Sequence, residues 1–480
     1  MDVNLTHPIY RIVGQAADQL GVRAFAVGGV VRDYFLQRPC TDIDIVCVGS
    51  GIELAQAAAR IIDTQNGSAH KTEVHVFKNF GTAQFLYNYE GEIWEIEFVG
   101  ARRESYHFTS RKPVVTDGTL EDDQRRRDFT INDLAVCINT DTFGTLVDPF
   151  GGIRDLRDGI IRTPLEPGIT FSDDPLRMMR AIRFASQLGF TIEGDTFRAI
   201  AANAERIRIV SAERVATELN KIILSPHPSV GFRLLYDSGL LAIIMPEMAR
   251  LRGVESVGQK AHKDNFFHTL KVVDNVAAKS DDLWLRWAAV LHDIGKPACK
   301  RYDEKSGWTF HGHEAKGSHM VKRIFSSLKL PLDAKMKYVE KLVLLHMRPI
   351  ILAEDIVTDS AVRRLLFEAG DDIDDLMTLC EADITSRNEA KVKRHLENFQ
   401  LVRHKLKELE EKDHIRNFQP PVSGEDIMTT FGLRPCREIG VIKDAIKDAI
   451  LDGVIPNTRE AAWQMMLQEA EKLGLKAVVR

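Results

Sequence analysis

The chain has 480 residues, 44% hydrophobic and 28% charged, and carries a formal net charge of −5. That length exceeds one ordinary core and implies about two to four domains. The composition is that of a soluble globular protein with no apolar run long enough to span a bilayer, which excludes a helical membrane protein and leaves no membrane partner to expect. Six cysteines lie far apart and never form Cys-x-x-Cys, so neither a zinc knuckle nor a disulfide framework is indicated. The start, MDVNLTHPIYRIV, lacks the basic region and apolar block of a secretory signal. A reduced, cytoplasmic setting is the expectation.

An acidic total argues weakly against a nucleic-acid partner, but the cations cluster. Arg102-Arg103, Arg111-Lys112, Arg125-Arg126-Arg127, Arg177/Arg180/Arg183 and Lys391-Lys393-Arg394 could line a phosphate path on an otherwise acidic body. A charge run is as readily a solvated helix face.

Ile9–Leu20 reads as an amphipathic helix, followed by a strand over Phe25–Val27, the turn Gly28-Gly29 and a short helical segment with Arg32 and Asp33. The next strand, Ile43–Val48, is opened by Asp42 and Asp44. The two-residue period of a strand puts both carboxylates on one face and Ile43 and Ile45 on the other, toward a core. Mg²⁺ prefers oxygen ligands and is commonly held by one or two carboxylates, with substrate phosphates completing its shell. The two glycines let backbone approach a triphosphate, and Arg32 offers a planar fork for its oxygens. Residues 52–62 read as a helix and 70–78, 81–89 and 93–99 as strands, giving a small mixed sheet on which Glu95 and Glu97 share a face.

GGVVRD followed by DIDIV resembles the nucleotidyltransferase signature of bacterial CCA-adding enzymes and poly(A) polymerases. The resemblance implies a catalytic head in which Asp42, Asp44 and Glu97 are the acidic residues near Mg²⁺ and Gly28, Gly29 and Arg32 meet the nucleotide. Arg102–Gly118 reads as a flexible loop. LEDDQRRRDFTINDLAV shows helical spacing at Leu120 and from Phe129 to Val136, and it is similar to the family pattern RRDFTINAL. That similarity implies that Arg127 contacts the triphosphate, Asp128 the sugar, and that Asn132 supports the site. Asp133 departs from the pattern, where a small residue is usual. VDPFGGIRDLRDGIIRTP reads as a β-hairpin turned by Gly-Gly.

In ITFSDDPLRMMRAIRFASQLGF an acidic turn after Ser172 leads into an amphipathic helix, on which Asp174, Arg177, Arg180 and Arg183 recur at steps of three along one ridge. A carboxylate accepts from the exocyclic amine of C or A while a guanidinium donates to the adjacent ring acceptor; G and U present a carbonyl there instead. The resemblance implies that Asp174 and Arg177 read the base and that Arg180 and Arg183 orient nucleotide and helix, with Asp173 where Glu is common. Helices over 197–204 and after Ser211, a plausible cap, complete an all-helical neck that ends at Pro226 and Pro228.

From Val230 onward the pattern is helical with no strand signal. Its chemistry-bearing residues are His268, His292-Asp293 in VLHDIGK, His313, His346 and Asp383. Imidazoles and carboxylates on packed helices can hold one or two transition metals, whose bound water attacks phosphoesters. The set resembles an HD-type phosphohydrolase domain. In the tail, Gly424–Gly432, Pro435 and a following helix have a helix-turn-helix-like geometry suited to the body of a tRNA, and LRPCREIGVIKDAI is similar to the family tail while departing from its PGPxIG.

The expected fold is α+β: a small mixed-sheet nucleotidyltransferase head at 1–160, an all-α neck at 161–228, an HD-type body at 229–400 and a helical tail at 401–480. The expected function is Mg²⁺-dependent addition of C and A to the 3′ end of tRNA from CTP and ATP. Poly(A) polymerase, a CC-only or A-only enzyme, and an HD phosphohydrolase acting on phosphoesters such as 2′,3′-cyclic phosphates are the alternatives.

Overall fold

A computed structural model describes residues 2–67, 71–107, 110–254, 256–257, 260–261, 264–305, 307–354, 358–385, 388–413, 415–416 and 418–478. The chain forms two compact units, 1–244 and 245–480.

The first unit begins with α1 (Ile9–Leu20), β1 (Ala24–Val27), α2 (Gly29–Phe35), β2 (Asp42–Cys47), α3 (Gly51–Gln65), β3 (His75–Phe77), β4 (Thr82–Tyr89) and β5 (Glu92–Gly100). His70, the first residue of the strand expected at 70–78, lies outside the described residues. With β8 (Ala135–Cys137) and β9 (Leu146–Val147), these strands make a seven-stranded sheet in the order β3-β4-β5-β2-β1-β8-β9. Only β2 and β5 run parallel, and their register sets Asp42 beside Glu95 and Asp44 beside Glu97. Alternation does the rest: Ile43, Ile45, Phe85, Ile96 and Phe98 are buried on the opposite face, which α3 covers with Leu54, Ala55, Ala58 and Ile62. The acid-bearing face is closed at the β1–β8 end by a cluster of Phe25, Val27, Val46, Ala135 and Cys137, with Leu120 packed on it. It is open over β2 and β5, where Asp42, Glu95 and Glu97 are exposed.

Three readings of the head are corrected. The described residues of 102–117 are not a loop but two antiparallel strands, β6 (Arg102–His107) and β7 (Ser110–Asp117). The stretch after Leu120 is not one helix: α4 (Leu120–Arg125), capped by Thr119 with Asp122, is followed by a 3₁₀ turn at Thr130–Asn132 and by β8. Every residue from Phe129 to Ile138 is buried, polar and apolar alike, and a run buried throughout carries no period by which helix and strand can be told apart. DPFGG starts a helix, α5 (Gly152–Asp158), rather than a hairpin: Asp148 accepts the amides of Gly152 and Ile153, and a side chain at Gly152 would collide with the Thr130 carbonyl at 2.2 Å.

β10 (Ile160–Ile161) pairs in parallel with β11 (Thr191–Ile192), so the neck is not wholly helical. Its other elements are α6 (Pro167–Asp173), α7 (Leu176–Leu188), α8 (Gly194–Asn203), α9 (Ala212–Ile223), α10 (Pro228–Asp237) and α11 (Leu240–Ile244). Pro175 divides the ridge helix expected after Ser172 into α6 and α7, leaving Asp174 extended between them. Ser211 occupies the N-cap position of α9 without a side-chain capping bond.

The second unit is mostly helical: α12 (Pro246–Ala249), α13 (Asn265–Ala277), α14 (Leu283–Leu291), α15 (Lys296–Cys299), α16 (His313–Ser327), α17 (Ala334–Leu345), α18 (Met347–Glu354), α19 (Asp359–Ala369), α20 (Ile373–Asp383), α21 (Glu389–Asp413), α22 (Gly424–Phe431), α23 (Arg437–Leu451) and α24 (Arg459–Lys472). Contrary to the all-helical expectation, two small antiparallel strand pairs lie among its described residues, β12 (Ser256–Val257) with β13 (Lys260–Ala261), and β14 (Arg301–Asp303) with β15 (Gly307–Thr309). α22 ends at Gly432 in the left-handed region, which turns the chain toward α23. Among the described residues no helix is long and apolar enough to cross a membrane.

Candidate active site and metal centre

A cavity of about 570 Å³ opens in the first unit, and every sequence-predicted nucleotide contact lines it: Gly28, Gly29, Arg32, Arg127, Asp128, Asn132, Asp174, Arg177, Arg180 and Arg183, together with Asp44. Asp42 and Glu97 stand outside the lining, on the adjoining open face of the sheet. Gly28 (φ 74°) makes the junction between β1 and α2. A Cβ there would lie 3.1 Å from Asp44 Oδ2 and 3.3 Å from Arg127 Nη1, so the close approach itself calls for glycine. Burial pushes the Asp44 carboxyl up to about 6; Arg127 opposes that, and Glu97, Asp42 and Glu95 add to it. A site that raises a carboxyl in this way favours an incoming cation.

The RRRD run is fixed by one residue the sequence reading passed over. Asp123 is fully buried and takes Arg126 at 2.5 Å and Arg127 at 3.0 Å, which aims both guanidinium stems at the cavity. Asp128 accepts from the Phe129 amide (2.9 Å), Asn132 Nδ2 (3.0 Å) and Arg180 Nε (2.6 Å). Burial works against its charge, but Arg180 and the Asn132 bond outweigh it and hold its pKa at about 2. Asn132 Oδ1 in turn takes Arg32, whose other edge forks onto Asp33. Arg32, Asn132, Asp128 and Arg180 therefore form one polar chain from α2 to α7. Asp133, the departure from the family pattern, is buried with no hydrogen-bond partner among the described residues. Burial raises its pKa well above the carboxylate range; Arg127 pulls the other way, and the charges of Asp128 and Asp123 add to the rise.

On α7, Arg177 donates to the Arg126 carbonyl (2.5 Å), while Asp174 accepts the Leu176 amide. Both side chains line the cavity through backbone anchors that a base edge could replace. Arg183 is placed differently: it is buried 3.2 Å from Glu218 of α9 and stacks on Phe184, so it ties two helices together besides facing the cavity. Burial lowers it to about 10, with Glu218 in opposition.

In the second unit the six predicted metal ligands converge from helix ends. His268 lies on α13, His292 and Asp293 follow α14, His313 opens α16, His346 follows α17, and Asp383 ends α20. Two groups of potential ligand atoms, His268–His292–Asp383 and Asp293–His313–His346, each fit within 4.8 Å. Asp293 reaches both: its Oδ2 is 3.2 Å from His292 Nε2 and its Oδ1 3.3 Å from His313 Nε2. The Nδ1 atoms are all engaged, His292 on the Ala289 carbonyl (2.8 Å), His313 on Phe310 (2.9 Å), His346 on Val343 (2.7 Å) and His268 on the Thr385 hydroxyl (2.8 Å). A carbonyl on Nδ1 fixes the proton there and leaves Nε2 as the ligand atom, which is how protein metal sites orient imidazoles. Lys296 Nζ sits 2.6 Å from Asp293 Oδ2, a contact the sequence reading omitted.

Residues 24–162 match the poly A polymerase head domain, 189–251 the probable RNA and SrmB-binding site of polymerase A, and 265–388 the HD domain. The A-adding tRNA nucleotidyltransferase of Deinococcus radiodurans is 34% identical over 352 residues, 71% of this chain and 78% of that protein. The chain belongs to the tRNA nucleotidyltransferase family. A multifunctional CCA protein of Aromatoleum aromaticum is 33% identical over 73% of this chain and 84% of its own length. The fold is that of the Bacillus stearothermophilus CCA-adding enzyme solved with CTP, at a TM-score of 0.66 and 24% identity over 98% of this chain and 99% of that one.

Of the residues that brace or line the two sites, some show a local pattern in the sequence and others do not. Asp123 could have been found, because it lies three and four residues before Arg126 and Arg127, the spacing of helical ion pairs. Lys296 likewise falls three residues after Asp293. Glu218, Thr217 and Arg214 of α9 and Gln187 of α7 reach the cavity only through helix packing, which no local pattern reports.

Proposed function

We propose that this protein adds C and A to the 3′ end of tRNA from CTP and ATP, releasing pyrophosphate. The observation that carries the reading is the single cavity in which a raised carboxyl on β2, a glycine junction and the Arg177 face of α7 meet. Asp42 and Asp44 would hold Mg²⁺, for which their shared face beside Glu95 and Glu97 provides oxygen donors only. When bound there, Mg²⁺ supplies charge neutralisation on the triphosphate and a lowered pKa for the attacking hydroxyl. Arg127, braced by Asp123, faces the triphosphate; Asp128, kept ionised by Arg180, accepts from the sugar. The backbone of Gly28 and Gly29 leaves room for both. Catalysis of this kind is mostly positioning and electrostatic stabilisation. Functionally we divide the chain into a catalytic head (1–160), a base-reading neck (161–228), an HD-type domain (229–400) and a tRNA-holding tail (401–480).

The test is extension of a tRNA lacking its CCA end, with each labelled NTP alone and in mixtures. CTP followed by ATP should give three additions, whereas extension only of a tRNA already ending in CC would make this an A-adding enzyme like the Deinococcus relative. Asp42→Asn should lower transfer by about 10²–10³-fold or more; wild-type rates in that variant would remove the metal role.

A second reading concerns the other unit, because four imidazoles, three of them with Nδ1 held by a backbone carbonyl, and two carboxylates meet there. We propose that they hold one or two transition metal ions and hydrolyse phosphoesters.

A further inference from the structure

A groove in the second unit runs beside the HD cluster without sharing its ligands. Its first section, about 510 Å³, is lined by Arg250, Arg252, Lys300, Arg301, Tyr302 and Trp308. Its second, about 470 Å³, shares Arg250 and Pro297 with the first and adds Lys316 and Arg323. The chain itself fixes the proximity to the cluster. Asn265 lines the groove one helical turn before His268 on α13, and Ile294 lines it immediately after Asp293.

The charge is one-sided. No carboxylate is among the described residues lining the first section, and Glu247, the acid of the second, takes Arg323 at 3.1 Å. Arg252 bonds to Asp264, the cap of α13, and stacks 4.4 Å from Phe267, so its position is fixed. On the β14–β15 pair Tyr302 stands opposite Trp308, the rings 5.3 Å apart, and the Lys300 ammonium lies 5.0 Å from the Trp308 ring. Tyr302 remains 37% exposed. Cations along both sections, with two aromatic rings beside those of the first, match a ligand that carries phosphates and stackable bases. A duplex keeps its bases paired and out of reach of such rings. A free phosphate would occupy only one end of the two sections.

We propose that this groove binds a segment of single-stranded RNA, with phosphates along Arg250, Arg252, Lys300 and Arg301 and a base on Tyr302 and Trp308, and that the strand passes beside the HD cluster. Binding does not depend on metal in the cluster, so the test is made in EDTA, and its failure leaves the hydrolytic reading intact.

The experiment is photo-cross-linking of a hexaribonucleotide carrying 4-thiouridine to the full chain, with peptide mapping by mass spectrometry. The expected product is a cross-link on Tyr302 or Trp308. Its yield should fall about tenfold in Lys300→Ala/Arg301→Ala, and the slope of log affinity against log salt should drop by about 1.4. Tyr302→Ser, which keeps both cations, should lose the cross-link at that residue while retaining the wild-type salt slope. Cross-links confined to residues 1–244, or an undiminished yield in the double variant, would overturn the proposal. So would full displacement of the hexamer by uridine monophosphate at equal concentration, which would reduce the ligand to a single nucleotide.

Discussion

Asp128 and Asp133 are near neighbours in one buried run, yet their surroundings push them in opposite directions. Asp128 has Arg180 at 2.6 Å and two N–H donors, and its pKa of about 2 lies below the ordinary 3.8. A depressed carboxylate contributes stability that is complete above about pH 4 and is lost as pH falls through about 2. Asp128→Asn keeps a carbonyl oxygen for the Phe129 amide but gives up the ion pair, so it should cost ~2 kcal/mol at pH 7. Urea denaturation should show the gap between wild type and variant narrowing below pH 4; a gap independent of pH would mean that the pairing with Arg180 is not its source. Among the described residues Asp133 has no hydrogen-bond partner for either oxygen. An unsatisfied buried polar group costs ~1–3 kcal/mol. Asp133→Ala, which restores the small residue of the family pattern, should therefore raise thermal stability, offset in part by the small void it leaves. A lower melting temperature would show that the carboxyl, protonated, supports Arg127 after all.

At the scale of elements, the break at Pro175 decides how a base could be read. An unbroken helix would carry Asp174 on its barrel; instead the residue is extended between α6 and α7, with one carboxylate oxygen on the Leu176 amide, and it lines the cavity. Asp174→Ala removes the acceptor for an exocyclic amine while leaving Arg177 on the Arg126 carbonyl. One such bidentate contact is worth ~1–3 kcal/mol of discrimination, so preference for CTP and ATP over UTP and GTP should fall by roughly 5- to 150-fold in single-turnover extension, and unchanged selectivity would move base reading elsewhere. The ridge was legible because steps of three on a helix keep residues on one side. So were β2 and β5, where apolar and acidic residues alternate over Asp42–Ile45 and Glu95–Phe98. The strand pair at 102–117 was not legible, since its run of basic and polar residues hides the two-residue period. β8 was misread because burial on both faces erases periodicity altogether. Glu218 and Arg183 meet only because α7 and α9 pack, a fact of tertiary structure that neither helix announces alone.

On the scale of the whole molecule, the chain carries two constellations suited to phosphate chemistry, one in each compact unit. They differ in donor chemistry: oxygen alone at Asp42 and Asp44, nitrogen with oxygen at the His268 to Asp383 cluster. By donor chemistry the first suits a hard ion such as Mg²⁺ and the second a softer ion such as Co²⁺, Ni²⁺ or Zn²⁺. A metal bound only by the folded state stabilises it by mass action, by ~2.7 kcal/mol when present at a hundred times its dissociation constant. Adding Ni²⁺ or Co²⁺ to chelator-treated protein should thus raise the melting temperature, and His292→Ala, which deletes an imidazole that is fully buried at the centre of the cluster, should abolish that shift. The same variant should lose hydrolysis of a small phosphodiester such as bis(p-nitrophenyl) phosphate while extending truncated tRNA at the wild-type rate with Mg²⁺. Asp42→Asn should show the reverse. Loss of both activities in either variant, with folding intact by circular dichroism, would mean that the two sites are coupled and that one unit's chemistry requires the other's.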